Sequence, residues 1–257
     1  MTDVLVDRAD GVVTITLNRP DRRNAITGPL VEAAIRAVED VARTPGDRAV
    51  VLTGAGGAFC SGMDLAAPLE PDVLTFMTRV GHLCALLHDL PRPTVAKVAG
   101  PALGFGCNLA FCCDLVLAGE SAVFGEIFAQ RGIALDGGAS WSLPRLVGLA
   151  KAKELAFFGA EVPAPEAERI GLVNRVVPDV ELDETVADWA QRLADGPTLA
   201  LSMMKSALNT SFETPFRRAI DGEALNQAVA FRTAEAKEAG RAFAERRPPR
   251  FRKDSHD

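Results

Sequence analysis

Between Ala49 and Gly119 strand-like and helix-like stretches alternate, with glycines at the joints. AVVLTGAG (49–56) is an apolar run that reads as a buried strand ending in glycines. Residues 71–90 read as a helix, TVAKVAGPA (94–102) as a strand, residues 105–112 as a helix opening behind a glycine, and DLVLAG (114–119) as a strand again. This β-α-β alternation demands an α/β core. Upstream, VLVDRADGVVTITLNRP (4–20) reads as two strands joined at Ala9-Asp10-Gly11, with Val13, Ile15 and Leu17 alternating with threonines. TGPLVEAAIRAVEDVART (27–44) reads as a helix with Thr27 as N-cap and Leu30, Ala33, Ala34, Val38 and Val41 on one face. From Pro197 no strand-like run remains. The expected organisation is a core over residues 1–196 and a helical region over 197–257.

Composition narrows the function classes. The net charge of −6 disfavours nucleic acid, which calls for a clustered basic face. The one basic cluster, ERRPPRFRK (245–253), reads as a solvated tail or a subunit contact. No apolar run reaches 18 residues, so no transmembrane helix is expected, and MTDVLVDRAD lacks a signal-peptide core. Cytoplasmic residence is the expectation. The five cysteines, Cys60, Cys84, Cys107, Cys112 and Cys113, follow no metal or redox spacing and read as buried thiols. Only three histidines are present, which leaves metal and histidine chemistry poorly supplied.

Two glycine-bearing loops follow strands, TGAGGAFCSGMDL (53–65) and AGPALGFGCNLAFCCD (99–114). Neither completes a dinucleotide fingerprint, because Phe59 and Leu109 stand where the third glycine belongs. Either loop alone reads equally as a tight turn. Together they suit another use: glycines let main chain approach a ligand, and exposed N–H groups there can hold a developing negative charge. The second loop also runs into a helix N-terminus, which favours an anion nearby.

Five stretches occur in order: ITLNRPDRRNAIT, AVVLTGAGGAFCSGMDL, RPTVAKVAGPALGFGCNLAFCCDLVLAG, GIALDGGASWSLPRLVG and AERIGLVNRVVP. Together they resemble the crotonase superfamily, the enoyl-CoA hydratase/isomerase family, over roughly residues 3–250. The resemblance implies the ClpP/crotonase-like fold of repeated β-β-α units, with C-terminal helices that assemble trimers or dimers of trimers. It implies an acyl-CoA thioester as ligand, with coenzyme A part of the substrate and no further cofactor or metal. By motif position the main-chain N–H groups of Met63 and Phe105 would grip the thioester oxygen. Arg23 is the candidate for a CoA phosphate, with Ala25 at the adenine; the alternative for Arg22 and Arg23 is a solvated turn. Ala58, Ser61, Asp64 and Leu65 fall where the family cradles adenine and pantetheine, although Asp64 could serve as a helix cap.

The resemblance is also informative where it fails. Family hydratases carry two glutamates, and here Asn108 and Phe128 occupy those positions. Neither exchanges a proton, which puts ordinary hydration in doubt. Glu126 lies two residues from the second position and would serve only if the register slipped. Asp136, within GIALDGGASW, stands where several family branches place an acid: dienoyl-CoA isomerases, naphthoate synthases, aryl-CoA dehalogenases and, most similar here, phenylacetate-pathway isomerases related to Δ3,Δ2-enoyl-CoA isomerase. His82 is offset by one from the histidine of the dehalogenase branch. Phe128, Ile133, Ala134 and Leu135 would desolvate Asp136 and raise its pKa. The plain alternative is a turn aspartate before Gly137. Asn108 could orient substrate or water, or bond to Asp136. His82 and His88 read as structural or surface residues and Trp141 as a packing residue. The expected activity is double-bond isomerisation with Asp136 as acid/base; a hydratase with non-standard residues and a non-catalytic acyl-CoA binder are the alternatives.

Overall fold

The computed structural model describes residues 2–68 and 71–252; Met1 of the first quoted stretch and Lys253 of the basic cluster lie outside the described residues. β1 (Val4–Ala9) and β2 (Val12–Leu17) pair antiparallel across the Asp10-Gly11 turn. α1 (Gly28–Arg43) follows, then β3 (Ala49–Gly54), α2 (Val73–Asp89), β4 (Thr94–Val98), β5 (Pro101–Leu103) and α3 (Phe105–Phe111). β6 (Leu115–Gly119), β7 (Val123–Gly125), α4 (Ala139–Phe158), β8 (Glu161–Pro163), α5 (Ala164–Arg169), β9 (Arg175–Val177) and α6 (Leu182–Ala194) complete the strand-bearing part. α7 (Thr198–Asn209), α8 (Phe216–Ala230) and α9 (Ala234–Ala244) close the chain. The β-β-α order implied by the resemblance recurs as β1-β2-α1, β4-β5-α3 and β6-β7-α4.

Two sheets result. One has six strands in the order β1-β2-β3-β4-β6-β9, parallel from β2 onward. The other has three, β5-β7-β8. TVAKVAGPA, read as one strand, is therefore two strands in different sheets: the chain breaks at Ala99-Gly100, and Pro101 starts β5 beside β7. A run of apolar residues reports burial and says nothing of which neighbour supplies the hydrogen bonds.

β3 shows why the large sheet needs cover on both sides. Val50 and Leu52 enter the main core with α1, whereas Val51 faces the second cluster. There Leu182, Val186 and Ala190 of α6, spaced four apart, pack on Val51, Val95 and Leu117. α1 buries Leu30, Val31, Ala34, Ile35, Ala37, Val38 and Val41, a wider stripe than the expected face, and Thr27 precedes it without a side-chain capping bond. The basic cluster, expected as a solvated tail or a subunit contact, is largely exposed and is tied back to the chain by ion pairs. Arg247 pairs with Glu238 at 2.6 Å and Arg252 with Asp10 at 3.3 Å. The Arg247 guanidinium, aided by the Arg250 main-chain N–H, draws the Glu238 carboxyl down to about 2.

Candidate active site

The segment after β3 is stitched to its neighbours by main chain. Cys60 N–H donates to the Pro101 carbonyl at 3.1 Å, Leu103 N–H to Cys60 at 2.9 Å, and Ile26 N–H to Gly62 at 2.8 Å. Asn24, fully buried, donates through Nδ2 to the carbonyls of Ala55 (2.9 Å) and Ala58 (2.8 Å). These bonds bring the two glycine-bearing loops face to face. Gly62 has φ of +90°, and a Cβ there would lie 2.9 Å from the Leu103 carbonyl oxygen and 3.7 Å from the Phe105 nitrogen. A Cβ on Gly106 would overlap the Cys60 carbonyl. Both glycines are thus required for the approach itself. At the junction, the N–H groups of Met63 and Phe105 have no protein acceptor among the described residues, Phe105 being the first residue of α3. Two free main-chain donors on one cavity can hold an oxyanion.

The cavity has a volume of about 740 Å³, within the range of small-molecule sites. Arg22, Ala25, Ser61, Asp64 and Leu65 line one part, Met63, Gly104 and Phe105 the junction, and Ile127, Phe128, Arg131, Ile133, Ala134, Leu135 and Asp136 another, with Val73 and Met77 contributed by α2. Of the residues expected at a site, Ala25, Ser61, Met63, Asp64, Leu65, Phe105, Phe128 and Asp136 all reach this cavity. Arg23, Ala58 and Asn108 do not line it. Arg23 is exposed, with φ of +49°, and is absent from the lining, whereas Arg22 contributes to it. Ala58 is buried behind the loop. Asp64 caps no helix: its carboxylate pairs with Arg19 at 2.8 Å and accepts from Ala66 N–H, and the Arg19 guanidinium holds it below the usual carboxylate range. Arg19 and Asn24, the two braces of this wall, are ordinary residues in sequence and gave no signal; Arg131 gave none either.

Asp136 precedes α4, and its main-chain carbonyl forms the expected turn by accepting from Ala139 N–H at 3.0 Å. Its side chain takes no part in that turn: Oδ1 is buried without a hydrogen-bond partner. Burial pushes the carboxyl up to about 6, opposed by the Asn108 amide. Asn108 Nδ2 donates to the Asp136 carbonyl at 3.2 Å and reaches Glu126 Oε2 at 3.5 Å. Phe128 fills the cavity wall in the expected register, while Glu126 sits in the core behind α3 and does not reach the cavity. His82 lies on α2, and His88 stacks edge-on against Trp141 at 5.2 Å. Trp141 also donates to Glu213 and carries Arg145 over its ring, a packing role. All five cysteines are free thiols, and no cluster of metal-binding side chains occurs among the described residues.

A family model described as enoyl-CoA hydratase/isomerase matches residues 7–254. The chain is 37% identical to a probable enoyl-CoA hydratase of Rhodobacter capsulatus, over 95% of each chain. It is 35% identical to the 1,2-epoxyphenylacetyl-CoA isomerase of Escherichia coli, over 94% of this chain and 95% of that one. Among solved structures, an enoyl-CoA hydratase from Bacillus anthracis superposes with a TM-score of 0.93 at 32% identity, covering 97% of this chain and 98% of the other. A protein from Streptomyces coelicolor solved as a putative enoyl-CoA hydratase gives the same TM-score at 36% identity, covering 97% of this chain and 94% of the other.

Proposed function

Because this chain belongs to the enoyl-CoA hydratase/isomerase family and carries the crotonase fold, we propose that it moves the double bond of a 3-enoyl-CoA thioester into conjugation, with Asp136 as acid and base. The observation that carries this reading is the Asp136 carboxyl itself. Of the two carboxyls lining the cavity, Asp64 is neutralised by Arg19, whereas Asp136 is unpaired and desolvated. The carboxylate removes a proton from C2. The electron pair moves onto the thioester oxygen, held by the Met63 and Phe105 N–H groups, and the same carboxyl then delivers a proton to the dienolate at C4. A single carboxyl suffices, and a pKa near 6 suits it to both halves of the transfer. Asn108 and Phe128 supply no second acid, which counts against water addition. The E. coli relative bears an isomerase name, for an epoxyphenylacetyl-CoA.

On this reading Arg22 is placed to meet the phosphates of coenzyme A, with Ala25, Ser61 and Leu65 along the pantetheine and nucleotide path. No cofactor beyond the thioester's own coenzyme A is invoked. The free thiols suit a reducing cytoplasm. Assembly as a homotrimer or dimer of trimers is proposed through the C-terminal helices.

The test is incubation with a 3-enoyl-CoA in D₂O, following conjugation by absorbance and deuterium uptake by mass. Wild-type protein is expected to turn over, and Asp136→Asn to lose about 10²- to 10⁴-fold in kcat. Absence of wild-type turnover, or an unchanged Asp136→Asn variant, overturns the reading. Hydration with Asp136 is the second reading, favoured by the hydratase name of the R. capsulatus relative; substantial water addition to crotonyl-CoA would select it.

A further inference from the structure

The proposed reaction leaves one acid unused. Glu126 is 2% exposed, follows β7 in the core, and has no basic partner. It borders a separate void of about 10 Å³ behind α3, room for about one water. Its Oε2 lies 3.5 Å from Asn108 Nδ2, and its Oε1 has no partner. Asn108 Nδ2 in turn holds the Asp136 carbonyl at 3.2 Å. One amide nitrogen therefore stands between two carboxyl-bearing residues, and Asn108 Oδ1 and Asp136 Oδ1 are buried without partners as well. A buried carboxyl without a basic partner is costly to keep as an anion, so its retention beside this amide needs a reason.

We propose that Glu126 is a positioning residue for Asp136, acting through the Asn108 amide that lies between them, and that the charge on Asp136 is felt at Glu126. The inference rests on the isomerase reading for its kinetic consequences only. The contacts of Asn108 Nδ2 with Glu126 Oε2 and with the Asp136 carbonyl favour one orientation of the amide, and through it one placement of the main chain that carries the Asp136 carboxyl. The groups facing Glu126 are the Cys107 thiol of α3, the Asn108 amide and, farther off, Asp136; β8, α4 and Leu172 present apolar side chains to its void. The thiols of Cys60 and Cys112 face Asp136, and both are pushed up, Cys112 chiefly by Cys84 and Cys60 by burial. Both remain neutral over the working range, so the charge changes belong to the two carboxyls. Burial, with a smaller contribution from the Asp136 charge, pushes Glu126 up to about 7. The Asp136 charge, as it forms, favours the protonated form of Glu126.

Three variants test this. Glu126→Leu removes the hold on Asn108 and is expected to lower kcat about tenfold with KM kept, a typical strength for coupled neighbours. Glu126→Gln keeps an acceptor for Asn108 and recovers part of that loss. The wild-type pH profile of kcat/KM should show two ionisations, near 6 and near 7, and Glu126→Gln only the lower. Infrared titration provides a readout independent of turnover. A protonated-carboxyl band absent from Glu126→Gln should vanish near pH 7 in wild type and at lower pH in Asp136→Asn, where the like charge is gone. If Glu126 titrates in the ordinary carboxyl range, if Asp136→Asn leaves its midpoint unmoved, or if Glu126→Leu changes melting temperature alone, the proposal is overturned. Because the infrared arms need no substrate, failure of the isomerase reading would be seen separately, as absent turnover with the coupled titration intact.

Discussion

At Gly62 the main chain takes a φ of +90°, and a Cβ there would lie 2.9 Å from the Leu103 carbonyl oxygen. Gly62→Ala should push the Met63 N–H off the junction and cost about 10²-fold in kcat, the usual effect of losing one such donor. Steady-state kinetics on a 3-enoyl-CoA checks this, and unimpaired turnover would refute the assigned donor. Glu126 has a consequence for stability as well as for rate. Its folded pKa, about 7, lies above the ordinary value of 4.5 for a free glutamate, so the unfolded chain releases the proton first. Stability attached to this proton is present below about 4.5 and is lost as pH rises through about 7. Glu126→Gln removes that loss, and urea unfolding should find it favoured over wild type by on the order of 2–3 kcal/mol more at pH 8 than at pH 4. Equal differences at the two pH values would contradict the buried titration. The fates of individual residues were unevenly legible. Phe128, placed by the family resemblance, lines the cavity as expected, whereas Asn108, placed the same way, stands behind it on Glu126 and the Asp136 carbonyl. Arg23 was the expected CoA contact, yet Arg22 lines the cavity, because side-chain placement at Arg22 and Arg23 depends on a left-handed turn that local sequence does not announce; Asp64, expected among the CoA contacts with a helix cap as the alternative, lines the cavity and is held by Arg19.

Helix α6 shows how an element far from the cavity supports it. Leu182, Val186 and Ala190 close the second face of the sheet whose first face carries the site loops. Leu182, 3% exposed, should cost about 2–4 kcal/mol when cut to alanine, without changing KM, because it touches the sheet and no cavity residue. Thermal unfolding beside steady-state kinetics separates the two effects, and a raised KM would show that the sheet transmits strain to the loops. Elements were well marked in the sequence where local rules decide them. The hairpin turn, the stripe of α1 and the glycine before α3 are properties of short segments. The splitting of TVAKVAGPA between two sheets escaped this kind of reading, because strand partnership is settled between segments that are distant in the chain.

Across the whole molecule, α7 and α8 with the turns that follow them present Leu208, Phe212, Phe216 and Phe231 at 70–82% exposure. Large apolar side chains left exposed on neighbouring helices fit the proposed trimer. Sedimentation equilibrium should give a multiple of the chain mass, and Phe216→Glu should lower it; a monomer at micromolar concentration would remove the assembly. By itself the sequence determined the family, the α/β core, the two glycine-bearing loops and the absence of both hydratase glutamates, since these follow from backbone conformation and residue identity along short stretches. Only the tertiary structure decided that the Asp136 carboxyl stands unpaired in the cavity, that Arg22 rather than Arg23 faces it, and that Glu126 lies sealed behind Asn108. Those outcomes depend on which side chains, tens of residues apart in the chain, come within hydrogen-bonding reach once the two sheets pack, and on the desolvation that this packing imposes.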